Sequence, residues 1–371
     1  MSVINNDQDE ESSSPFSSTN HWLRLSNEIV LLVFSRLSIK DLVTVSLVNK
    51  RFRDLSRDDS LWTELTLDYK DFQYRQDAHR CGQLVDRCKK LSSLKITNDS
   101  NITSTLDIMT VVVMARETLK SLDIDSSIYN WTKDALALLG YMSELTNLSF
   151  ALDISSFLGL EEIWKNWKLA QLEVLKFHTE YVDFEDIELT KHIFLQLRKL
   201  KIVQLSHAND AVVIALATNN PDLSRLSIHD YCVLTDQGII ALADSCPDLE
   251  ELRLNEYLTM CALNHLSSSC KKIKYLQFEE IIGEDEDDTD ESNLTNLIGK
   301  FVFLEHLSLK WCHEVSDSAV EKIVGTARTL KRLQINVAPK VTESLLQKLR
   351  MENPELDLNI NWWRAEADHQ M

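Results

Sequence analysis

One short pattern, apolar-x-x-Leu-x-apolar, recurs through most of the 371-residue chain and constrains its fold more than any other feature. It reads Leu91-Leu94-Ile96, Leu119-Leu122-Ile124, Leu145-Leu148-Phe150, Leu172-Leu175-Phe177, Leu197-Leu200-Ile202 and Leu223-Leu226-Ile228. It continues as Leu249-Leu252-Leu254, Ile273-Leu276-Phe278, Leu304-Leu307-Leu309 and Leu330-Leu333-Ile335, and fades at Leu356. Successive starts lie 28, 26, 27, 25, 26, 26, 24, 31, 26 and 26 residues apart, a regularity that marks a solenoid rather than chance leucines. The alternation Leu-x-apolar places two side chains on one face of a short strand. Between copies the periodicity is helical, as in Ala211, Val212, Ile214, Ala215 and Leu216. Strand, helix and strand in the same sense predict a parallel sheet lining the inside of an arc, with helices outside. The expectation is an α/β solenoid of about eleven repeats over residues 71–361.

Residues 21–70 follow a different rule. Ile29, Leu32, Val33 and Leu37 recur at three and four residues, the spacing of one apolar stripe on a short helix. Ser38 with Asp41 has the form of a capping box, so a second helix is expected to start there and to show Leu42, Val45 and Val48 to the same core. A third helical pattern runs through Phe52 and Leu55, and Trp62, Leu65 and Leu67 link it to the repeats. Three short helices cannot bury much apolar surface alone, so a partner or the rest of the chain must cover what remains.

The residues Leu25, Glu28, Ile29, Leu32, Phe34, Leu37, Asp41, Leu42, Val48, Lys50, Leu55, Leu61 and Trp62 stand at the spacing of the F-box, which this stretch resembles. Ser26, Asn49 and Phe52 replace the Pro, Cys and Trp of that pattern. Ser is a competent helix cap at such a position, and Phe52 keeps an aromatic body. The repeats resemble leucine-rich repeats, more narrowly the cysteine-containing subtype found behind F-boxes. Cys232, Thr235-Asp236, Gly238-Ile239, Leu242, Cys246-Pro247-Asp248-Leu249, Leu252 and Leu254 follow that subtype closely, and Cys312, Val315-Ser316-Asp317 and Ile323 in part. The resemblance implies a substrate-recognition subunit of an SCF-type cullin-RING ubiquitin ligase. Its F-box would dock on a Skp-type adaptor, linked to a cullin, and its repeats would hold the protein to be ubiquitinated. It also implies that Leu25, Ile29, Leu32, Leu37, Leu42 and Val48 build the module and meet the adaptor. A scaffold or sensor that uses the repeats outside any ligase is the second reading, kept open by the three substituted positions.

Composition excludes several classes. The longest apolar run, Val111 to Ala115, is far short of a membrane span, and the N-terminus has acids where a signal peptide would carry bases. Seven scattered cysteines do not form a disulfide scaffold, which points to the cytosol or nucleus. The net charge is -19 and resides mainly in the repeats, so a phosphate backbone is a poor partner and no nucleic acid is expected. No Cys-x-x-Cys pair, phosphate loop or nucleophile elbow occurs, so neither metal nor cofactor nor catalysis is expected. Cys232, Cys246 and Cys312 read as small core residues. Residues 1–20 are expected to be a disordered polar tail. The acidic insertion from Glu284 to Glu291 reads as a solvated loop, and Trp362-Trp363 as the start of a cap and tail over 362–371.

Residues beside the buried pair of each strand point to the sheet's open face. In the middle repeats those positions read as Lys176, His178, Lys199, Lys201, Arg225, His229 and Arg253, a basic stripe across four adjacent strands. Such a stripe suits an acidic or phosphorylated segment of a client; the alternative is that these bases balance acids on neighbouring loops. Tyr231, Tyr257 and Trp311 fall just after strands, either as contact anchors or as covers for the core edge.

Overall fold

The computed structural model describes residues 24–68, 87, 90–97, 109, 112–113, 115–128, 131–153, 160–179, 190–279, 281–282, 291–310 and 315–361. The tail 1–20, Cys81, Cys88, the acidic run through Asp290, Trp311, Cys312, Trp362 and Trp363 lie outside these residues, as do the side chains of Tyr231 and Cys232. The chain divides into two compact units, Met1–Trp62 and Thr63–Met371.

The first unit contains α1 (Asn27–Phe34), α2 (Ile39–Val45) and α3 (Lys50–Leu55), followed by a 3-10 turn at Asp59–Leu61. Each helix has a side-chain cap. Ser26 accepts from the Ile29 amide, Ser38 from the Asp41 amide, and Asn49 from the Phe52 amide. Ser38 Oγ also donates to the Asp41 carboxylate at 2.7 Å. Two of the three positions that depart from the F-box pattern are therefore caps, each satisfying an amide that the helix itself leaves open. The third, Phe52, packs edge-on against Phe34 with centroids 5.4 Å apart. Arg51 donates to the Leu25 carbonyl and the Asn27 side chain, tying α3 to the start of α1. The fully buried Trp62 donates its indole N–H to the Ser56 carbonyl at 2.8 Å.

Burial in this unit corrects the expected stripe. Val30 and Phe34, one turn apart, face inward, whereas Ile29 and Leu32 face outward. Leu42 joins the core and Val48 does not. The helix is apolar all round, so periodicity alone could not tell its two faces apart.

The second unit is built on an open parallel sheet. Twelve strands follow one another in chain order: β1 (Glu64–Asp68), β2 (Ser93–Thr97), β3 (Ser121–Ile124), β4 (Asn147–Leu152), β5 (Val174–Thr179), β6 (Ile202–Asn209), β7 (Arg225–Val233), β8 (Glu251–Arg253), then β10 (Tyr275–Phe278), β12 (His306–Leu309), β13 (Arg332–Asn336) and β14 (Asp357–Asn361). Strands β9 (Leu258–Thr259) and β11 (Ile281–Ile282) form a small parallel pair of their own. The link residues Leu65 and Leu67 are thus a full strand of the sheet, paired with Leu94 and Ile96. From β2 onward the sheet has a strand for every copy of the sequence pattern, and the fading eleventh copy supplies β14 through Leu358 and Ile360.

One frame is corrected. Leu175 pairs with Val203 and Phe177 with Leu205, so the fifth copy is Leu200-Val203-Leu205, three residues later than Leu197-Leu200-Ile202. Both frames satisfy the same pattern. Hydrogen bonds choose between them: the Lys201 amide donates to the Glu173 carbonyl, and buried Asn220 accepts from the Leu200 amide.

Helices follow most strands, and their ends are stitched between repeats. Asp210 accepts from the amide and hydroxyl of Thr235, Asp236 from the Thr259 hydroxyl, and Asp317 from the amide and hydroxyl of Thr342. Each of these threonines caps its own helix, so one residue serves two repeats. At the other helix ends, Asn220, Cys246 and Cys270 form a buried file whose side chains reach carbonyls of the repeat before or of their own helix. In the earlier repeats Phe150, Phe177 and Trp164 fill the core, with Phe150 and Phe177 centroids 4.8 Å apart.

Candidate functional site

Eleven large apolar side chains are exposed among the described residues, and five of them, Ile29, Leu32, Val43, Leu47 and Val48, belong to the helical unit. Leu32 is 64% exposed, Leu47 73% and Val48 65%. Of the six residues to which the resemblance assigns the adaptor, Ile29, Leu32 and Val48 are on the surface, Leu25 and Leu37 are half-buried, and Leu42 is in the core. Val43 and Leu47 escaped the sequence reading. Their spacing of four on α2 and its following turn was the available signal.

On the sheet, Lys176 of β5 and Arg253 of β8 stand between the two buried rows, with Gln204 and Ser227 in the same row on β6 and β7. Arg225 opens β7, and His178 and His229 lie just past the second buried row. Lys199 and Lys201 do not join them. They precede β6, at the edge of the sheet where its strands begin, because the frame is three residues later than expected. Most of these cations have partners. Lys201 lies 3.1 Å from Glu173, Lys199 donates to Gln171 at 2.7 Å, and Arg225 lies 3.8 Å from Glu251. Arg253 also pairs with Glu251 and rests over the Tyr275 ring at 3.9 Å. The expected stripe therefore narrows to exposed Lys176 and a set of partly neutralised arginines.

Three histidines sit together at β5 to β7, of which His207 was not singled out from sequence. His178 Nδ1 lies 3.4 Å from Ser206 Oγ, His207 Nδ1 2.8 Å from Thr179 Oγ1, and His229 Nε2 3.2 Å from Ser227 Oγ. Burial pushes the pKa of all three below the usual histidine value, while the Asp230 carboxylate pulls the other way. Neutral rings at this place act as hydrogen-bonding groups rather than as charges. Asn255 extends the network: it donates to the His229 carbonyl and accepts from Lys310 at 2.7 Å and Gln277 at 3.2 Å. The open face from β5 to β12 thus carries a polar network whose hydrogen bonds are largely satisfied internally.

Two of the cysteines are closed to nucleophilic chemistry. Cys246 and Cys270 are fully buried, and burial pushes both thiols up to about 12. No group of three or more His, Cys, Asp or Glu among the described residues is placed to hold a metal ion. No helix among them is long and apolar enough to cross a membrane.

The F-box-like family model matches residues 22–68. No curated protein matches the chain. Among solved structures, a chain from the complex of Rad7 and Elc1 in yeast aligns with a TM-score of 0.56 at 16% identity, over 91% of this chain and 94% of that one. A leucine-rich-repeat protein of Leptospira interrogans aligns with a TM-score of 0.42 at 14% identity, over 90% and 98%. The leucine-rich repeat-containing protein LegL7 of Legionella pneumophila aligns with 0.43 at 13%, over 79% and 99%.

Proposed function

Starting from a chain that joins an F-box-like module to an α/β leucine-rich-repeat solenoid, we propose that it is the substrate-recognition subunit of an SCF-type ubiquitin ligase. The module binds a Skp-type adaptor and through it a cullin, and the solenoid holds the client. Its mechanism is proximity: tethering raises the effective concentration of client lysines near a conjugating enzyme that other subunits supply.

The observation that carries this reading is the exposure of Ile29, Leu32, Val43, Leu47 and Val48 on a small module. Burying one such side chain is worth about 1.5–3 kcal/mol, so leaving five in water forgoes stability that a partner recovers. On the solenoid, the face from β5 to β8 is the assigned client surface, with Lys176, Arg253, His178 and His229 as its contact groups. The paired Lys199 and Lys201 are assigned to the strand-start edge.

Co-purification with the Skp-type adaptor and cullin tests the assignment. Leu32→Asp is expected to cut adaptor capture by about tenfold or more, because binding would bury an unpaired carboxylate where the native side chain is apolar, with helix content unchanged by circular dichroism. Failure of the native protein to bind any Skp-type adaptor would overturn the ligase reading.

A further inference from the structure

We propose that the hollow between the start of the helix Asp236–Ser245 and the segment Glu256–Thr259 binds the cationic side chain of a lysine or arginine in a docked polypeptide. This assignment does not rest on the ligase reading. It needs only the solenoid.

The hollow has a volume of about 290 Å³, and its lining combines apolar Leu234, Ile239 and Leu258 with Asp236, Glu256 and Tyr257. That mixed lining matches the two parts of a basic side chain, an apolar methylene stem and a charged head. Glu256 is half-buried, and its carboxylate accepts the Tyr257 amide at 3.2 Å. The Glu279 amide donates to the Glu256 carbonyl at 2.9 Å, which brings a second acidic residue to the neighbouring turn. Burial pushes the Glu256 pKa up, the Tyr257 amide opposes this, and the charge of Glu279 adds to it. A carboxylate held partly away from water and beside another acid gains from an incoming cation, which both neutralises it and offsets the repulsion between the two acids. Tyr257, 42% exposed on the wall, adds an aromatic face of the kind that attracts ammonium and guanidinium groups.

The walls are held in place. Asp236 is engaged by the Thr259 hydroxyl at 2.7 Å, Thr259 caps the next helix, and Leu258 and Thr259 pair with Ile281 and Ile282. The site is therefore formed before a ligand arrives, and binding costs little reorganisation.

The test uses the full-length protein and three capped pentapeptides that share an alanine frame around one central residue: lysine, arginine or norleucine, the last keeping the stem without the charge. Binding is followed by methyl NMR shifts of Ile239 and Leu258 and by calorimetry. The lysine or arginine peptide, or both, is expected to saturate and to move those methyls, with norleucine about tenfold weaker or more. Glu256→Gln is expected to remove that preference without lowering the melting temperature, since it deletes a desolvated charge. Equal binding of norleucine, an unchanged preference in Glu256→Gln, or no saturable binding of either basic peptide would each overturn the proposal. Adaptor capture is measured separately, so failure here is distinguishable from failure of the ligase assignment.

Discussion

Ile29 and Val30 are neighbours in sequence and opposites in environment, the first 48% exposed and the second fully buried. Val30→Asp is expected to unfold the helical unit, because an unpaired carboxylate in that core costs several kcal/mol. Leu32→Asp leaves it folded, and amide NMR of the two variants distinguishes lost fold from lost surface. The cysteines divide in the same way. Cys246 and Cys270, with thiols pushed up to about 12, are expected to resist a thiol reagent until the protein unfolds, whereas exposed Cys261 reacts in the native state. The histidines give the solenoid a pH dependence. His178, His207 and His229 have folded pKa values below that of an unfolded histidine. The unfolded chain therefore takes up protons first as pH falls through about 6.5, and stability declines there. Melting temperatures are expected to drop between about pH 7.5 and pH 5.5, with a shallower drop when His178 and His229 are replaced by Gln.

At the scale of elements, the ends of helices were the most legible feature. Ser38 with Asp41 is a cap in the structure because a short side chain before a helix satisfies an amide that has no other partner; Thr235, quoted from the sequence only as part of the repeat pattern, caps its helix in the same way. Less legible was that Asp210 and Asp236 reach across to the next repeat, since nothing local in the sequence relates residues 25 or so apart. That cross-link explains Gly238. A methyl group there would run into the Asp210 carboxylate, which holds the amide and hydroxyl of Thr235. Gly238→Ala is expected to destabilise the solenoid by about 1–3 kcal/mol despite its higher helix propensity, and denaturant unfolding measures it. The frame of β6 is the opposite case. Leu197, Leu200, Ile202, Val203 and Leu205 satisfy two overlapping patterns, and the pairing with β5 and β7 selects one. Lys199 and Lys201 moved out of the candidate client surface for that reason.

For the whole molecule, the solenoid couples each repeat mainly to its neighbours, so damage at distant repeats is expected to add. Gly140, whose added methyl would strike the Trp167 ring, caps the end of the helix Lys133–Leu139, and Gly238 lies in the helix Asp236–Ser245, with several strands between them. Gly140→Ala and Gly238→Ala should sum within about 0.5 kcal/mol in the double variant; a larger interaction energy in urea titration would mean that strain spreads along the array. The order of the repeats, the leucine rows outside β6, the helical unit and its caps at Ser26 and Ser38 were determined by the sequence itself, because repeat period and capping are local regularities that any one stretch displays. Which face of α1 is wet, which frame β6 adopts, which bases are already neutralised and where a desolvated Glu256 meets an apolar hollow were decided only by the tertiary structure. Each of those depends on what lies across a gap from residues distant in sequence, and burial and electrostatic pairing are properties of neighbours in space.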